Sequence, residues 1–158
     1  MNGAPRLVRV RGVLPPGFDA LRAEARAEGY RHMDRLAAEW ASGANRFEQD
    51  DEALLVGDDG GALVGVGGVT HEPAAPDALR LRRFYVRPAY RGRGLGRAIA
   101  AALIETVPAS TRFLTVNAGD DGAAAFWEAL GFAAVRAATH THAKLSHLDR
   151  AAGRAVAR

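Results

Sequence analysis

The chain has no cysteine among its 158 residues. That absence excludes a disulfide framework, a thiol nucleophile and a thiolate metal site. Long apolar runs are also missing, since none approaches the roughly 18 residues that a membrane-spanning helix needs. The first residues (Met-Asn-Gly-Ala-Pro-Arg) do not resemble a signal peptide. We therefore expect a cytoplasmic protein with no membrane partner.

Lysine is nearly absent, because 20 of the 21 basic residues are arginine and only Lys144 is lysine. The formal net charge is +3, yet seven arginines fall between Arg80 and Arg97. Charge concentrated in so short a stretch favours a local anion site. A nucleic-acid surface would need a broader basic stripe, so no nucleic-acid partner is expected.

Length and composition indicate one globular domain over residues 1–158. The apolar fraction of 48% and the charged fraction of 25% are ordinary for such a domain, and 158 residues suffice for a core. No internal repeat or linker is present. Residues 149–158 alternate alanine, arginine and glycine and are expected to form a loose tail.

Apolar periodicity predicts the order β-α-α-β-β-β-α-β-α-β-β, a mixed sheet with helices on its faces in the α/β (or α+β) class. Asp19 is expected to cap the first helix, and Ser42-Gly43 to close the second. Asp120 is expected to cap the last helix, and Gly131 to end it. The predicted strands cover residues 6–14, 52–56, 62–70, 79–86, 112–117, 133–139 and 142–148.

Residues 79–107 form the centre of the chain, with a strand, an arginine- and glycine-rich loop and a helix. Such a loop leaves backbone N–H groups unpaired at the positive end of a helix, which suits a phosphate. Within the strand the apolar phase slips by one residue near Arg82-Arg83. The slip indicates a β-bulge, although a fully buried strand would also show a mixed apolar pattern.

Glycines at 65, 67 and 68 fall inside a predicted strand. Glycine weakens a strand unless something packs closely against the backbone, so a close neighbour is expected there.

Two segments resemble motifs of the GNAT superfamily of N-acetyltransferases. Arg91-Gly92-Arg93-Gly94-Leu95-Gly96 fits that superfamily's Arg/Gln-x-x-Gly-x-Gly/Ala signature and follows Phe84-Tyr85-Val86-Arg87-Pro88, which is similar to its lead-in. The segment 123–132, ending in Leu-Gly-Phe, resembles its second motif. With the order of elements, the resemblance covers roughly residues 5–148, and two motifs in context are far more specific than one glycine loop.

The resemblance implies a GNAT-like fold with a splayed central strand pair, and acetyl-CoA as the co-substrate. Its pyrophosphate would lie on the loop amides, while pantetheine and the thioester carbonyl would bind backbone N–H groups of residues 84–86. The end of the fifth strand and one face of the last helix would form the other side. The cofactor-binding residues implied are Phe84, Tyr85, Val86, Arg91, Gly92, Arg93, Gly94, Leu95, Gly96, Arg97, Asn117, Ala123 and Phe126.

Two positions depart from the resemblance. Asp120 stands where the superfamily often has asparagine, and Trp127 stands where a tyrosine often protonates the departing CoA thiolate. An indole N–H is a donor but not a usable acid. Water, Tyr85 or Tyr90 would then have to supply that proton.

The general base is less defined by the sequence. Glu72 is the candidate we assign, with His71, His140 and His142 as alternatives, each of which is more often only a polar loop or strand residue. The His-x-His spacing lacks further ligands, so no metal site is expected. The acceptor pocket would be lined by Tyr30, Arg31, Phe47 and Glu48.

These observations predict an N-acetyltransferase that moves acetyl from acetyl-CoA to a small-molecule or peptide primary amine by direct attack in a ternary complex. One alternative is a catalytically silent acyl-CoA sensor, and another is a nucleic-acid-binding protein that uses its arginines. The resemblance also makes a homodimer possible.

Overall fold

The computed structural model describes residues 3–146. Its seven strands form one mixed sheet in the order β1-β2-β3-β4-β5-β7-β6, and every neighbouring pair is antiparallel except β4 and β5. The predicted fold class and order of elements are confirmed. The strands are β1 (Arg6–Arg9), β2 (Ala53–Asp59), β3 (Ala62–His71), β4 (Ala78–Val86), β5 (Phe113–Val116), β6 (Ala133–Ala134) and β7 (His142–Leu145).

Four helices cover the sheet: α1 (Phe18–Ala27), α2 (His32–Ser42), α3 (Leu95–Glu105) and α4 (Asp121–Ala129). The expected cap at Asp19 is wrong. Gly17, in the left-handed region, precedes α1 without a side-chain cap, and Asp19 lies in the first turn. The cap at Asp120 is confirmed, because its carboxylate accepts from the backbone N–H of Ala123 at 2.7 Å.

Each face of the sheet has its own core. On one face α3 buries Leu95, Ile99 and Leu103 against β2, β3 and β4, and Trp127 of α4 joins the same cluster. On the other face α1 and α2 bury Leu21 and Leu36, among others, against β2 and β3. The sheet is therefore enclosed in the middle, where its strands carry near-continuous apolar runs.

The glycines of β3 have the close neighbours that the sequence predicted. A β-carbon added at Gly65 would lie 2.9 Å from Leu95, and one at Gly67 would lie 2.7 Å from Ile99. The third glycine, Gly68, is covered by the Phe47 ring on the opposite face. The missing side chains allow helix α3 and the α2–β2 loop to sit directly on the strand backbone.

The predicted β-bulge is present. In the β3–β4 ladder, Val66 faces Tyr85 and Gly68 faces Arg82, so two β4 residues oppose one β3 residue. Arg83 lies in this bulge with a positive φ of 62°, a backbone conformation that is uncommon for a residue with a side chain. The bulge bends β4 at the point where the next strand leaves it.

Some boundaries differ from the prediction. The first strand ends at Arg9 rather than residue 14, because the chain turns through Gly12 at a φ of 76°. The two late strands are shorter than expected, and residues 147–158, including the predicted end of β7 and the tail, lie outside the described residues. None of the helices in the described part has the length and apolar character needed to cross a bilayer.

Candidate active site

A wedge opens between β4 and β5. The two strands pair from Ala78 with Phe113 to Leu81 with Val116, and the last five residues of β4 have no partner in β5. The opening holds a cavity of about 780 Å³, which is within the range of small-molecule sites. The wedge is lined by Gly29, Tyr30, Arg31, His32, Arg35, Arg80, Leu81, Arg82, Arg83, Phe84, Tyr85, Val86, Arg91, Gly96, Asn117, Gly119, Asp120, Gly122, Ala123, Phe126 and Trp127.

Side chains bind the β4 carbonyls that β5 does not reach. Arg87 donates its N–H to Val64 of β3 at 2.9 Å, and Tyr85 faces Val66 in the same ladder. Successive residues of a strand direct their N–H and C=O groups to opposite neighbours, so the N–H and C=O of Val86 point away from β3 and into the wedge. Its carbonyl accepts from Arg91 Nε at 2.9 Å, and the Phe84 carbonyl accepts from His32 Nε2 at 2.7 Å. The Val86 N–H is thereby left facing the opening.

The start of helix α3 is arranged to receive an anion. Gly94 is its N-cap residue, with a φ of 83°, and no side chain caps the helix there. The first N–H groups of α3 therefore lack intrahelical partners at the positive end of its dipole. A β-carbon added at Gly96 would lie 3.3 Å from the Phe126 ring and 3.6 Å from Val86. Because Gly96 has no side chain, the first turn of α3 can lie close to both Phe126 of α4 and Val86 of β4.

Helix α4 and the end of β5 form the opposite side of the wedge. Asn117, Ala123 and Phe126 line it. Trp127 is buried, and its ring packs edge-on against Phe84 and Phe132. Trp127 therefore contributes packing at the base of the wedge rather than a proton donor.

Not every residue that the resemblance implied lies in the wedge. Phe84, Tyr85, Val86, Arg91, Gly96, Asn117, Ala123 and Phe126 line it. Gly92, Arg93, Gly94 and Arg97 are exposed on the loop and the first turn of α3, beside the wedge. Leu95 is different, because its side chain is buried in the core under Gly65 and only its backbone faces the loop.

Most of the arginine cluster is neutralised internally. Four of the seven arginines between 80 and 97 form ion pairs: Arg80 with Glu72, Arg83 with Glu39, Arg87 with Glu24 and Arg91 with Glu28. Arg93 stacks over the Tyr90 ring, with its Cζ atom 5.3 Å from the ring centroid. The concentration of charge in the sequence is therefore larger than the charge that a ligand would meet.

The tyrosines suggested as substitute acids are both engaged. Burial, together with a 2.5 Å hydrogen bond to Glu28, raises the pKa of Tyr85. The hydroxyl of Tyr90 donates to Asp59 at 2.5 Å, and that bond raises the pKa of Tyr90. A phenol that already donates to a carboxylate is a poor proton source for a thiolate.

Glu72 lies outside the wedge lining, in a buried polar network. Arg80 Nε donates to its carboxylate at 2.8 Å, and the hydroxyls of Thr115 and Thr139 donate at 2.7 and 2.8 Å. Burial alone would raise the pKa of Glu72, but these hydrogen bonds outweigh it and lower the pKa to about 2. A carboxylate so fully engaged is a weak proton acceptor, so the geometry does not favour the assigned base role.

The histidines proposed as alternatives are likewise engaged. His71 hydrogen-bonds the carbonyl of Asp50 at 2.8 Å. His140 lies 4.0 Å from Glu72, and His142 lies 3.1 Å from Glu128. Within residues 3–146, no group of three or more histidine, aspartate or glutamate side chains is placed to hold a metal ion.

His32 is a candidate that periodicity did not single out, because it stands at the first position of α2. Since a carbonyl only accepts, the bond to Phe84 requires that Nε2 carries the hydrogen. Burial lowers the pKa of His32, the Phe84 bond opposes that shift, and the charges of Arg83 and Arg35 reinforce it. His32 is therefore neutral near pH 7, with Nδ1 as its acceptor nitrogen.

Of the four residues expected to line an acceptor pocket, two do so. Tyr30 and Arg31, in the α1–α2 connection, line the wedge. Phe47 is instead buried in the core against Gly68, and Glu48 is exposed beside it. The α2–β2 loop thus supports the sheet, and the start of α2 contributes Arg31, His32 and Arg35 to the wedge lining.

Comparisons with known proteins agree with this geometry. Residues 17–132 match the model of the acetyltransferase (GNAT) family. A stretch of 74 residues is 32% identical to N-alpha-acetyltransferase RimI of Mycobacterium tuberculosis, covering 46% of this chain and 47% of that protein. The matched stretch thus spans about half the length of this curated relative.

Solved structures share the fold across nearly the whole chain. A protein from Exiguobacterium sp. 255-15, described as an acetyltransferase, superposes with a TM-score of 0.81 at 22% identity, over 94% of this chain and 98% of that one. An aminoglycoside 6'-N-acetyltransferase complexed with coenzyme A superposes with a TM-score of 0.64 at 14% identity, over 89% of this chain and 96% of that one. At these identities the likeness establishes the fold.

Proposed function

The chain belongs to the acetyltransferase (GNAT) family, and from that premise we propose that it transfers acetyl from acetyl-CoA to a primary amine by direct attack in a ternary complex. The observation that carries the proposal is the wedge between β4 and β5, which opens onto the uncapped start of α3. No cysteine is available to carry an acyl intermediate, which favours direct attack.

The residues present fit acetyl-CoA, which supplies an activated acetyl thioester when bound. The N–H groups at the start of α3 have no side-chain cap and suit the pyrophosphate. The wedge-facing N–H of Val86 would bind along the pantetheine arm or at the thioester carbonyl, where a fixed donor stabilises developing negative charge. Asn117, Ala123 and Phe126 would flank the arm from the opposite side.

We assign His32 rather than Glu72 as the proton acceptor. His32 lines the wedge beside the β4 bulge, and its Nε2–H is fixed by the Phe84 carbonyl. Nδ1 then offers a lone pair that can take a proton from the acceptor ammonium, directly or through one water, and the neutral amine that results attacks the thioester. The lowered pKa keeps this nitrogen unprotonated at neutral pH.

The tyrosines considered as acids for the leaving thiolate, Tyr85 and Tyr90, are both engaged. Tyr30 of the wedge lining donates to Asp120 at 3.4 Å. Trp127 is packed among aromatic rings, and Tyr85 and Tyr90 both donate to carboxylates. We propose that water protonates the thiolate. The same observation favours one rival function, an acyl-CoA sensor that retains the wedge but does not turn over.

Thiol release with a panel of primary amines distinguishes these two functions. The acetyltransferase proposal predicts that one or more amines stimulate CoA release and appear as N-acetyl products by mass spectrometry. Tight CoA binding, with thiol release no faster than spontaneous hydrolysis across the panel, would instead identify a sensor. Lack of CoA binding would contradict both.

A further inference from the structure

Of the three wedge-lining arginines on β4, Arg82 alone forms no ion pair within residues 3–146. Arg82 stands on β4 immediately before the bulge and lines the wedge. The Nε atoms of Arg82 and Arg83 are both inaccessible to solvent and have no hydrogen-bond partner within residues 3–146. Burial lowers the pKa of Arg82, the charge of Arg83 acts in the same direction, and the charges of Glu39 and Glu52 oppose the shift without outweighing it. Keeping a cation in such a place is costly unless an anion joins it.

Three other arginines of the wedge differ from Arg82 in having an acidic partner. Arg80, Arg83 and Arg91 also line the wedge, and each has a glutamate partner. Arg31 and Arg35, at the start of α2, also line the wedge and form no ion pair within the described part of the chain. The wedge therefore carries positive charge that described carboxylates leave unbalanced.

The lining contains one carboxylate, and that group is already engaged. Asp120 caps α4 with Oδ1, while Oδ2 accepts from the Tyr30 hydroxyl at 3.4 Å. Asp120 also lies on the opposite side of the wedge, at the start of α4. Among residues 3–146, then, no acidic side chain of the lining is placed to attract a purely cationic amine to the Arg82 end.

The position of Arg82 separates it from the phosphate-binding loop. Arg82 precedes Val86 by four residues, on the order of 12 Å along an extended strand, and the loop follows only after the 3₁₀ turn at Pro88–Tyr90. Phe84 and its partner His32 lie between Arg82 and Val86. An anion at Arg82 would therefore lie on the far side of the proposed proton acceptor, where the acceptor amine must enter.

We propose that the acceptor amine carries an anionic group, a carboxylate or a phosphate, which binds the guanidinium of Arg82 with support from Arg31 and Arg35. The inference rests on the proposed function. The anion would form an ion pair with the guanidinium of Arg82, and it would hold the amino group towards His32 and the thioester. Hydrogen bonds between charged groups in such a site correspond to a preference of about tenfold to a hundredfold over a neutral analogue.

Matched amines test the proposal by turnover. Two pairs of amines are compared, and the members of each pair differ chiefly in the anionic group. Glycine and glycinamide test for a carboxylate, and O-phosphoethanolamine and ethanolamine test for a phosphate. We expect the anionic member of one pair to be preferred at least tenfold in kcat/KM. The Arg82→Met variant should lose that preference and keep its affinity for CoA, whereas Arg11→Met, an exposed change outside the wedge, should keep both. A preference for the neutral members, or one that persists in Arg82→Met, would overturn the proposal.

A binding measurement keeps the test valid if none of these amines is turned over. The buried Nε–H of Arg82 should give a slowly exchanging ¹⁵N–¹H signal, identified by its loss in Arg82→Met. In the CoA complex, N-acetylglycine or N-acetyl-O-phosphoethanolamine should shift that signal, while N-acetylglycinamide and N-acetylethanolamine should not. No shift with either anion at saturating concentration would contradict the anion site. Failure to form the CoA complex would instead show that the proposed function, and this inference with it, is wrong.

Discussion

Glu28 and Arg91 form a bidentate ion pair that joins the end of α1 to the loop before α3. Arg91 Nη1 and Nη2 lie 2.8 and 2.7 Å from the two carboxylate oxygens, and Tyr85 donates its hydroxyl to the same carboxylate at 2.5 Å. The bond from Arg91, followed by that from Tyr85, lowers the pKa of Glu28. Three elements around the wedge therefore meet at one carboxylate, which fixes where the loop begins.

Replacing Glu28 by Gln should weaken CoA binding about threefold to fivefold. Both side chains are partly exposed, so a loss of about 1 kcal/mol or less is expected, despite the bidentate geometry. Calorimetric titration with CoA measures the change. In an Arg91→Gln background the same Glu28 substitution should have little further effect, because the two residues act as a pair. Additive losses would show that the pair does not position the loop.

The His32→Gln substitution should lower kcat about a hundredfold or more while leaving CoA affinity unchanged. Glutamine keeps a donor for the Phe84 carbonyl but cannot take up the proton. In the wild type, kcat should fall as pH decreases through the lowered pKa of His32, below its ordinary value of 6.5. That acid limb should disappear in the variant.

Stability gives an independent check on His32. Because its pKa is lower in the folded state, protonation favours the unfolded chain, and the stability that His32 contributes is lost as pH falls below about 6.5. Urea unfolding between pH 5 and 7.5 should show this component in the wild type and not in His32→Gln. A variant with near-normal kcat and an unchanged pH profile would remove His32 from the mechanism.

Glu72→Gln should act on stability more than on chemistry. Removing one partner of a buried ion pair typically costs about 3–5 kcal/mol, and Arg80 would lose its carboxylate. The pKa of Glu72 is lowered to about 2, so its stabilising contribution is present above the unfolded-state pKa and is lost as pH falls from about 4.5 towards 2. Urea unfolding across that range should show a smaller pH dependence in the variant.

The kinetic control for Glu72 decides its role. At a temperature where Glu72→Gln remains folded, we expect kcat within about fivefold of the wild type, since the carboxylate does not line the wedge. A fall of a hundredfold or more in a stable, CoA-binding variant would return the base role to Glu72.

The sequence predicted those features that depend on neighbours in the chain. The phase slip at Arg82-Arg83 located the bulge, because strand periodicity is a local property. Asp120 caps the start of α4 and Gly131, with a φ of 95°, follows its end, as expected for the same reason. Asp19 did not cap α1, since Gly17 is in the left-handed region and the helix begins one residue before Asp19.

Roles that depend on distant residues could not be read from the sequence. Glu72 is occupied by residues at positions 80, 115 and 139, which only the sheet brings together. His32 reaches the β4 carbonyl at residue 84, and the pairing of Arg91 with Glu28 joins positions 63 apart. Which of the clustered arginines forms no ion pair within residues 3–146, as is true of Arg82, depends on the same long-range contacts.

The most direct test of the wedge as a CoA site is a calorimetric titration of CoA into the wild type, Gly96→Trp and Ala101→Trp. Gly96 is chosen rather than Gly94 because the left-handed backbone of Gly94 would be strained by any side chain. Ala101→Trp is the control, since it introduces the same tryptophan on the exposed face of α3. We expect one site in the wild type and in Ala101→Trp, and affinity at least thirtyfold weaker in folded Gly96→Trp, on the order of 2 kcal/mol. Equal affinity in all three folded proteins would contradict the assignment of the wedge and the α3 start as the acetyl-CoA site.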